Sequence, residues 1–100
     1  MSAPYPVGMV ASNSPGEIAP KFAAQIQADI DTLAMYGIKA PVRTKSIKGH
    51  TPLREIITGG FRTFYYCEDE MVIVLHVCRK DDQTRGIELA AKRMKELRRK

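Results

Sequence analysis

The segment from Leu53 to Lys80, LREIITGGFRTFYYCEDEMVIVLHVCRK, constrains the fold most, because it holds three strand-like runs separated by two short turns. The turns are Thr58-Gly59-Gly60 and Glu68-Asp69-Glu70, and the runs are rich in β-branched and aromatic residues. Strands joined by turns this short must be antiparallel neighbours. The last run, MVIVLHVC, is apolar on both of its sides, which predicts an interior strand covered on each face.

Two amphipathic helices are predicted on either side of this meander. Apolar residues recur at helical spacing over residues 19–36, where Pro20 suits the first turn and Gly37 suits the position after the last. A second pattern of this kind covers residues 84–98, with small residues on its apolar stripe and cations on its other side. Both helices have an apolar side that must be buried against the sheet.

The remaining segments complete an α+β order of strand, helix, three antiparallel strands and helix. Residues 5–11 are apolar enough for a short strand, which its prolines restrict to the edge of a sheet. Residues 38–52 mix prolines with basic side chains and are predicted to form a basic loop. We therefore expect one small domain over residues 1–100, with residues 1–15 contributing a partly ordered edge strand.

Charge and composition narrow the classes of function. The chain has a formal net charge of +5 and a pI near 9.4, which favours polyanionic partners such as nucleic acid. No stretch approaches the length of a membrane span, and the N-terminus lacks the pattern of a signal peptide, so we expect a cytoplasmic protein with no membrane partner. Two cysteines without metal-ligand spacing to either histidine predict neither a disulfide framework nor a metal site.

Several local sequences together resemble the RelE superfamily of bacterial toxins, and most closely its HigB-like, phage-associated branch. They are, in chain order, LAMYG, KSIKGH, LREIITGGFRTFYY, MVIVLHVCRK and IELAAKRMKEL. The resemblance covers most of the chain from about residue 22 onward. It implies a RelE-like fold and a toxin that cleaves mRNA in the ribosomal A site, without metal or organic cofactor, until a cognate antitoxin, expected to be of the helix-turn-helix type, neutralises it.

In such enzymes the ribose 2′-hydroxyl attacks the adjacent phosphate and the 5′ oxygen leaves. This chemistry requires a group that accepts the 2′ proton, cations that stabilise the dianionic phosphorane, and a group that protonates the leaving oxygen. The residues below are the candidates for these roles, and the resemblance supplies the positions of several of them.

Arg62 is the first candidate for a phosphate ligand. In the strand FRTFYY it alternates with Phe64 and Tyr66, and the resemblance places a phosphate-contacting arginine there. A planar guanidinium binds phosphate through two hydrogen bonds. The alternative explanation is an arginine on the solvent side of an ordinary amphipathic strand.

Lys80 is the second candidate, since the resemblance places a basic residue where the last strand ends. Alternation lets only one of Arg79 and Lys80 point into the cleft, and it groups Lys80 with Cys78, His76 and Val74. This parity also keeps His76 as a candidate, although a histidine in an apolar strand is more often a core residue. A basic strand end that solubilises the sheet is the alternative explanation.

Further candidates come from the basic loop and from the strand that follows it. The resemblance supplies a lysine or histidine from this loop, where Lys45, Lys48 and His50 lie, and histidine titrates in the range that suits proton transfer. Arg54 matches a position flanking the family's cleft, although a salt bridge to a neighbouring strand would also explain it. We expect either Lys48 or His50 to transfer the proton.

Tyr66 is the candidate for stacking on a base or orienting a phosphate, because it shares the side of the strand that carries Arg62. Two departures from the family pattern weaken the catalytic hypothesis. Asp81 stands where a second lysine is usual, and no aromatic residue follows Tyr66, whereas many relatives present a tyrosine or histidine near the C-terminus.

The sequence therefore favours an endoribonuclease toxin whose partners are an antitoxin, mRNA and the ribosome. The alternative is a non-catalytic module that kept the scaffold and pairs with an antitoxin or with nucleic acid. The candidate residues are, for catalysis, Arg62, Lys80, Lys48, His50 and Tyr66, and, for RNA binding, Lys45, Arg54, Arg79 and His76.

Overall fold

The computed structural model describes residues 7–9 and 19–99, which form a five-stranded sheet with a helix on each face. The strands are β1 (Val7–Met9), β2 (Arg43–Ser46), β3 (Arg54–Thr58), β4 (Phe61–Glu68) and β5 (Met71–Arg79), and the helices are α1 (Pro20–Tyr36) and α2 (Gln83–Arg98). The sheet order is β1-β5-β4-β3-β2, with β1 parallel to β5 and all other pairs antiparallel. This confirms the α+β order expected from the sequence.

The predicted boundaries agree closely with the observed ones in β5 and α1. Strand β5 begins and ends within the predicted run and lies between β1 and β4, as its two apolar sides require. Helix α1 has its proline in the first turn, and Gly37 follows it with φ of 62° while its N–H bonds to the carbonyl of Leu33. Of the N-terminal strand predicted over residues 5–11, residues 7–9 are observed at the edge, and the others lie outside the described residues.

Strand β4 divides the core into two halves. All six residues from Phe61 to Tyr66 are buried, and their side chains alternate between the sheet faces. Phe61 and Tyr65 pack with α1 on one side, which we term the α1 face. Phe64 and Tyr66 pack with α2 on the other side, the α2 face.

A bulge between β4 and β5 changes which β5 residues reach each face. Phe64 pairs with His76, whereas the next residue, Tyr65, pairs with Val74, so that Leu75 is the extra residue. Val74 consequently packs on the α1 face and Leu75 on the α2 face. The parity that groups Val74 with His76 is therefore wrong, because strict alternation is interrupted at this point.

The segment predicted as a basic loop contains an additional strand, β2. Lys45 pairs with Glu55 and Thr44 with Ile56, and three of the four β2 residues are exposed. An exposed edge strand made of polar residues has no apolar alternation, which is why the pattern gave no sign of it. Beyond β2 the loop is closed by the N–H of Ile47, which donates to the carbonyl of Leu53 at 3.0 Å.

The described part of the chain contains no helix suited to crossing a bilayer, since neither α1 nor α2 combines sufficient length with sufficient apolar character.

We predict that Gly86→Ala destabilises the protein. Gly86 lies in α2 against the sheet, and an added Cβ would lie 2.7 Å from Cε2 of Phe64 and 2.8 Å from Sγ of Cys78. Overpacking of this kind costs about 1–3 kcal/mol, more than the gain in helix propensity. Urea denaturation measures the change in the free energy of unfolding. Gly60→Ala is the matched control, because nothing lies within 4 Å of its added Cβ, and a loss there as large as at Gly86 would contradict the packing argument.

Candidate functional site

Two rows of side chains cross the α2 face from β2 to β5. Directly paired residues of antiparallel strands point to the same side, so the register defines both rows. They are Arg43, Ile57, Arg62 and Cys78 in one row, and Lys45, Glu55, Phe64 and His76 in the other. Helix α2 packs on β4 and β5, while the β2 ends of both rows carry exposed cations. The candidate site lies where these rows meet the N-terminal end of α2.

Arg62 is buried on this face and held in one orientation. The residue is 8% exposed, and its Nη1 donates to the carbonyls of Gly59 and Phe61, both at 2.9 Å. Its Nε lies 3.9 Å from Oε1 of Glu55. The predicted shared face with Phe64 is confirmed, but the guanidinium also anchors the turn between β3 and β4. The alternative explanation, an arginine on the solvent side of the strand, is therefore wrong.

Glu55 is the buried carboxylate that balances this cation, and the sequence did not reveal its role. It is 2% exposed, and its Oε1 also accepts a hydrogen bond from Nε2 of Gln83 at 2.8 Å. A buried carboxylate is costly unless it is paired and hydrogen-bonded, and Arg62 and Gln83 together satisfy that condition. The alternation of side chains along β3 predicts that Glu55 and Arg54 lie on different faces of the sheet. No sequence pattern, however, links Glu55 to Gln83 at the start of α2.

Lys80 lies at the same turn as Arg62. Its backbone N–H donates to the carbonyl of Gly60 at 2.8 Å, next to the Gly59 carbonyl that Arg62 binds. The Lys80 side chain is exposed. The backbone of Lys80 thus meets the same turn that the buried Arg62 guanidinium binds, and two cations near one turn are what a phosphate site would use.

Arg79 and Arg54 lie on the opposite face of the sheet. The guanidinium of Arg79 lies 5.8 Å from the ring centroid of Phe61, on the α1 face. Arg54 donates to the hydroxyl of Tyr65 on that same face. In this structure, neither of these predicted RNA-binding residues shares a surface with Arg62.

Lys48 and His50 lie in the loop between β2 and β3, at the far end of β3 from Arg62. His50 is held by its N–H, which donates to the Ile47 carbonyl at 3.1 Å, while Lys48 is exposed. Arg62 pairs with Ile57, four residues beyond the end of this loop, a separation of about 13 Å at the usual strand rise. The structure therefore does not place either proton-transfer candidate beside Arg62.

Lys45 is nearer to the site, because it is paired with Glu55 on β3 and exposed on the edge strand. Along the strand direction, Lys45 lies between the loop that carries Lys48 and His50 and the β3–β4 turn to which the backbone of Lys80 bonds. We refer to the exposed or half-exposed residues along this line as the basic strip. They are Arg43, Lys45, Lys48, His50 and Lys80.

His76 and Tyr66 are covered by α2. The ring of His76 stacks on Phe64 with 6.4 Å between centroids, and its Nδ1 lies 3.5 Å from Nη1 of Arg93. Burial, and then the charge of Arg93, lower the pKa of His76, so that its ring is neutral at pH 7. His76 thus contributes to the packing of α2 rather than to the exposed surface.

Tyr66 is only 1% exposed and packs among Leu75, Ala91 and Met94. Its hydroxyl has no hydrogen-bond partner among the described residues, and burial raises the pKa of this phenol. The predicted stacking of a base on Tyr66 requires access that α2 denies in this arrangement. The predicted shared face of Tyr66 and Arg62 is confirmed, whereas the burial of Tyr66 follows from the packing of α2, which no local sequence pattern specifies.

Within the described residues, no three His, Cys, Asp or Glu side chains lie together as a set of metal ligands. At the Gly59–Gly60 turn, the buried Arg62 guanidinium lies beside the Glu55 carboxylate, and the exposed Lys80 follows the end of β5.

No protein-family model matches the sequence, and no curated protein matches it significantly. Among solved structures, a chain of the RelB–RelE antitoxin–toxin complex from Methanococcus jannaschii is similar, with a TM-score of 0.60. The match covers 70% of this chain and 84% of the other, at 14% sequence identity. The fold is RelE-like. This confirms the expected fold, and it does not distinguish the HigB-like branch from others that share the RelE-like fold.

We predict that protonation of His76 destabilises this RelE-like fold. Because its pKa is lowered in the folded state, the unfolded chain takes up the proton first as the pH falls through about 6.5. The free energy of unfolding should therefore decrease below that pH. Chemical denaturation between pH 7.5 and pH 5.5 measures this slope. It should be shallower in His76→Gln, and equal slopes in the two proteins would contradict the assignment.

Proposed function

We propose that this chain is the toxin of a toxin–antitoxin pair, a metal-independent endoribonuclease of the HigB-like branch that cleaves mRNA in the cytoplasm. The observation that carries the proposal is that a fixed arginine, Arg62, and the backbone of an exposed lysine, Lys80, bond to the same turn of a RelE-like fold. The basic strip next to this turn supports RNA as the substrate, since its cations can displace counterions from phosphates.

In the proposed reaction, the ribose 2′ oxygen loses its proton and attacks the adjacent phosphorus. The phosphorus–5′ oxygen bond breaks and the leaving oxygen gains a proton, which gives a 2′,3′-cyclic phosphate and a 5′-hydroxyl. Arg62 and Lys80 would stabilise the extra negative charge of the phosphorane. Nη1 of Arg62 already donates to two carbonyls. The other N–H groups of the guanidinium would therefore contact the phosphate.

Glu55 is a positioning residue in this proposal. Its Oε1 faces Arg62 and accepts from Gln83, and the residue is 2% exposed, so it orients the guanidinium rather than meeting the 2′-hydroxyl. Proton transfer remains assigned to Lys48 or His50. Because the loop that carries them ends about 13 Å along β3 from the position of Arg62, that role requires the loop to approach the turn when RNA binds.

The proposed partners follow from the same comparison. The similar structure is that of an antitoxin–toxin complex, which supports an antitoxin, here expected to be of the helix-turn-helix type, as the partner of this chain. A ribosome-bound mRNA would be the substrate, and the exposed cations of the basic strip would also contact ribosomal RNA.

A second candidate function is a non-catalytic module that only binds an antitoxin or nucleic acid. Two observations favour it: Tyr66 is buried rather than offered to a base, and α2 carries no aromatic residue that could replace it. The turn-binding role of Arg62 would also persist in such a module, because it stabilises the fold without any substrate.

Replacing Lys80 tests the proposed site with little risk to the fold, since its side chain is exposed. We expect Lys80→Met to lose growth arrest on induction and to reduce mRNA cleavage by at least tenfold, because one charge-assisted contact to the phosphorane is removed. Growth curves and mapping of mRNA ends measure both effects. Lys92→Met, at an exposed position of α2, is the matched control and should remain toxic.

Arg62→Lys is a sharper substitution than Arg62→Ala. Alanine would leave the buried Glu55 without its cation, a loss of about 3–5 kcal/mol that would confuse inactivation with unfolding. Lysine keeps the charge but cannot bind the turn and a phosphate at once. We expect a folded protein, shown by circular dichroism, that no longer arrests growth.

The outcomes separate the hypotheses. Undiminished cleavage by both Lys80→Met and Arg62→Lys would contradict the site. A wild-type chain that is harmless on induction, leaves transcripts intact and binds an antitoxin tightly would instead support the non-catalytic module.

A further inference from the structure

The α1 face contains a cavity that the proposed ribonuclease function does not use. It has a volume of about 420 Å³ and lies between the C-terminal end of α1 and the sheet. Its walls are apolar and are formed by Leu33, Ala40, Val42 and Val72. This volume falls within the range of small-molecule sites, roughly 300–1,000 Å³, which commonly combine apolar walls with a few polar groups.

The polar groups of this cavity form one connected set. Arg54 donates through Nε to the hydroxyl of Tyr65 and through Nη2 to Oγ1 of Thr44, each at 3.2 Å. Both hydrogen bonds are longer than the usual 2.9–3.0 Å, and both acceptors are neutral. A guanidinium held by two long, neutral contacts retains further N–H groups for a stronger acceptor.

The charge of Arg54 is not balanced by a carboxylate among the described residues. The one ion pair found within that part of the chain joins Arg62 to Glu55 on the other face. Burial raises the pKa values of both Tyr65 and Cys67, so the phenol and the thiol that line the cavity are neutral at pH 7. The cavity therefore contains a half-buried cation, a neutral phenolic hydroxyl and apolar walls.

We propose that this cavity binds a small organic acid with one carboxylate and a compact apolar body. The carboxylate accepts hydrogen bonds from Arg54 and from the hydroxyl of Tyr65, because a charged acceptor binds a guanidinium more strongly than the neutral oxygens present. The apolar body contacts Leu33, Val42 and Val72. The cavity lies on the opposite face of the sheet from Arg62. Binding of an acid there can therefore be tested independently of the ribonuclease proposal.

Titration of the ¹⁵N-labelled full-length chain with matched acids and amides tests this inference. The probes are 4-phenylbutyrate and hexanoate, each compared with its neutral amide. We expect saturable shifts of the backbone amides of Val42, Thr44, Tyr65 and Cys67, with a Kd of about 1 mM or tighter for the acids. The amides should bind about tenfold more weakly, because they lack the charge that pairs with Arg54.

Substitution supplies an independent measurement. Arg54→Met keeps the apolar stem and removes the charge, and it should raise the Kd of the acids about tenfold or more. Lys92→Met, remote from the cavity, is the control and should leave the Kd unchanged. Lys80→Met should also bind the acids normally, which separates this site from the proposed active site.

Three results would overturn the proposal. They are the absence of saturable shifts in the wild-type chain, equal affinity for acid and amide, and an unchanged Kd in a folded Arg54→Met variant. The comparison of acid with amide is made on the wild-type chain, so it decides the question even if Arg54→Met does not fold.

Discussion

The burial of six consecutive residues in β4, from Phe61 to Tyr66, is the constraint on which the rest of the structure depends. A strand buried on both faces requires a partner layer on each side, and α1 and α2 supply these layers. The same burial encloses one charged residue, Arg62. A cation in that position is tolerated only because Glu55 and two carbonyl oxygens surround it.

The two faces of the sheet consequently have different electrostatic character. On the α2 face the buried Arg62 has a carboxylate, Glu55, beside it, and exposed lysines such as Lys45 and Lys80 add positive charge at the surface. On the α1 face Arg54 is partly exposed and bonded to neutral oxygens, so its charge remains available within a cavity. Arg54 and Arg62 have similar sequence surroundings. The register between β3 and β4 nevertheless places Arg54 on the α1 face, opposite Tyr65, and Arg62 on the α2 face, opposite Ile57.

The spacing of apolar residues was sufficient to predict both helices, the meander and the interior position of β5, because the residues that become buried are the ones that form these patterns. They could not predict β2, whose polar residues are ordered by pairing with β3, or the bulge that moves Val74 to the other face. For the site, parity correctly grouped Arg62 with Tyr66. The contact of Gln83 with Glu55 and the burial of Tyr66 depend on where α2 packs, which no local pattern specifies.

Strand β2 forms the end of the sheet opposite β1, so one side of its backbone lacks a neighbouring strand within the described residues. Such an edge can pair with a strand of another molecule, and charged side chains are a common means of preventing this. Arg43 and Lys45 supply that protection here, while they also form part of the basic strip. The residues proposed to bind RNA would therefore also keep the isolated chain from adding strands to its own sheet, so neutralising them would increase self-association as well as weaken the proposed binding.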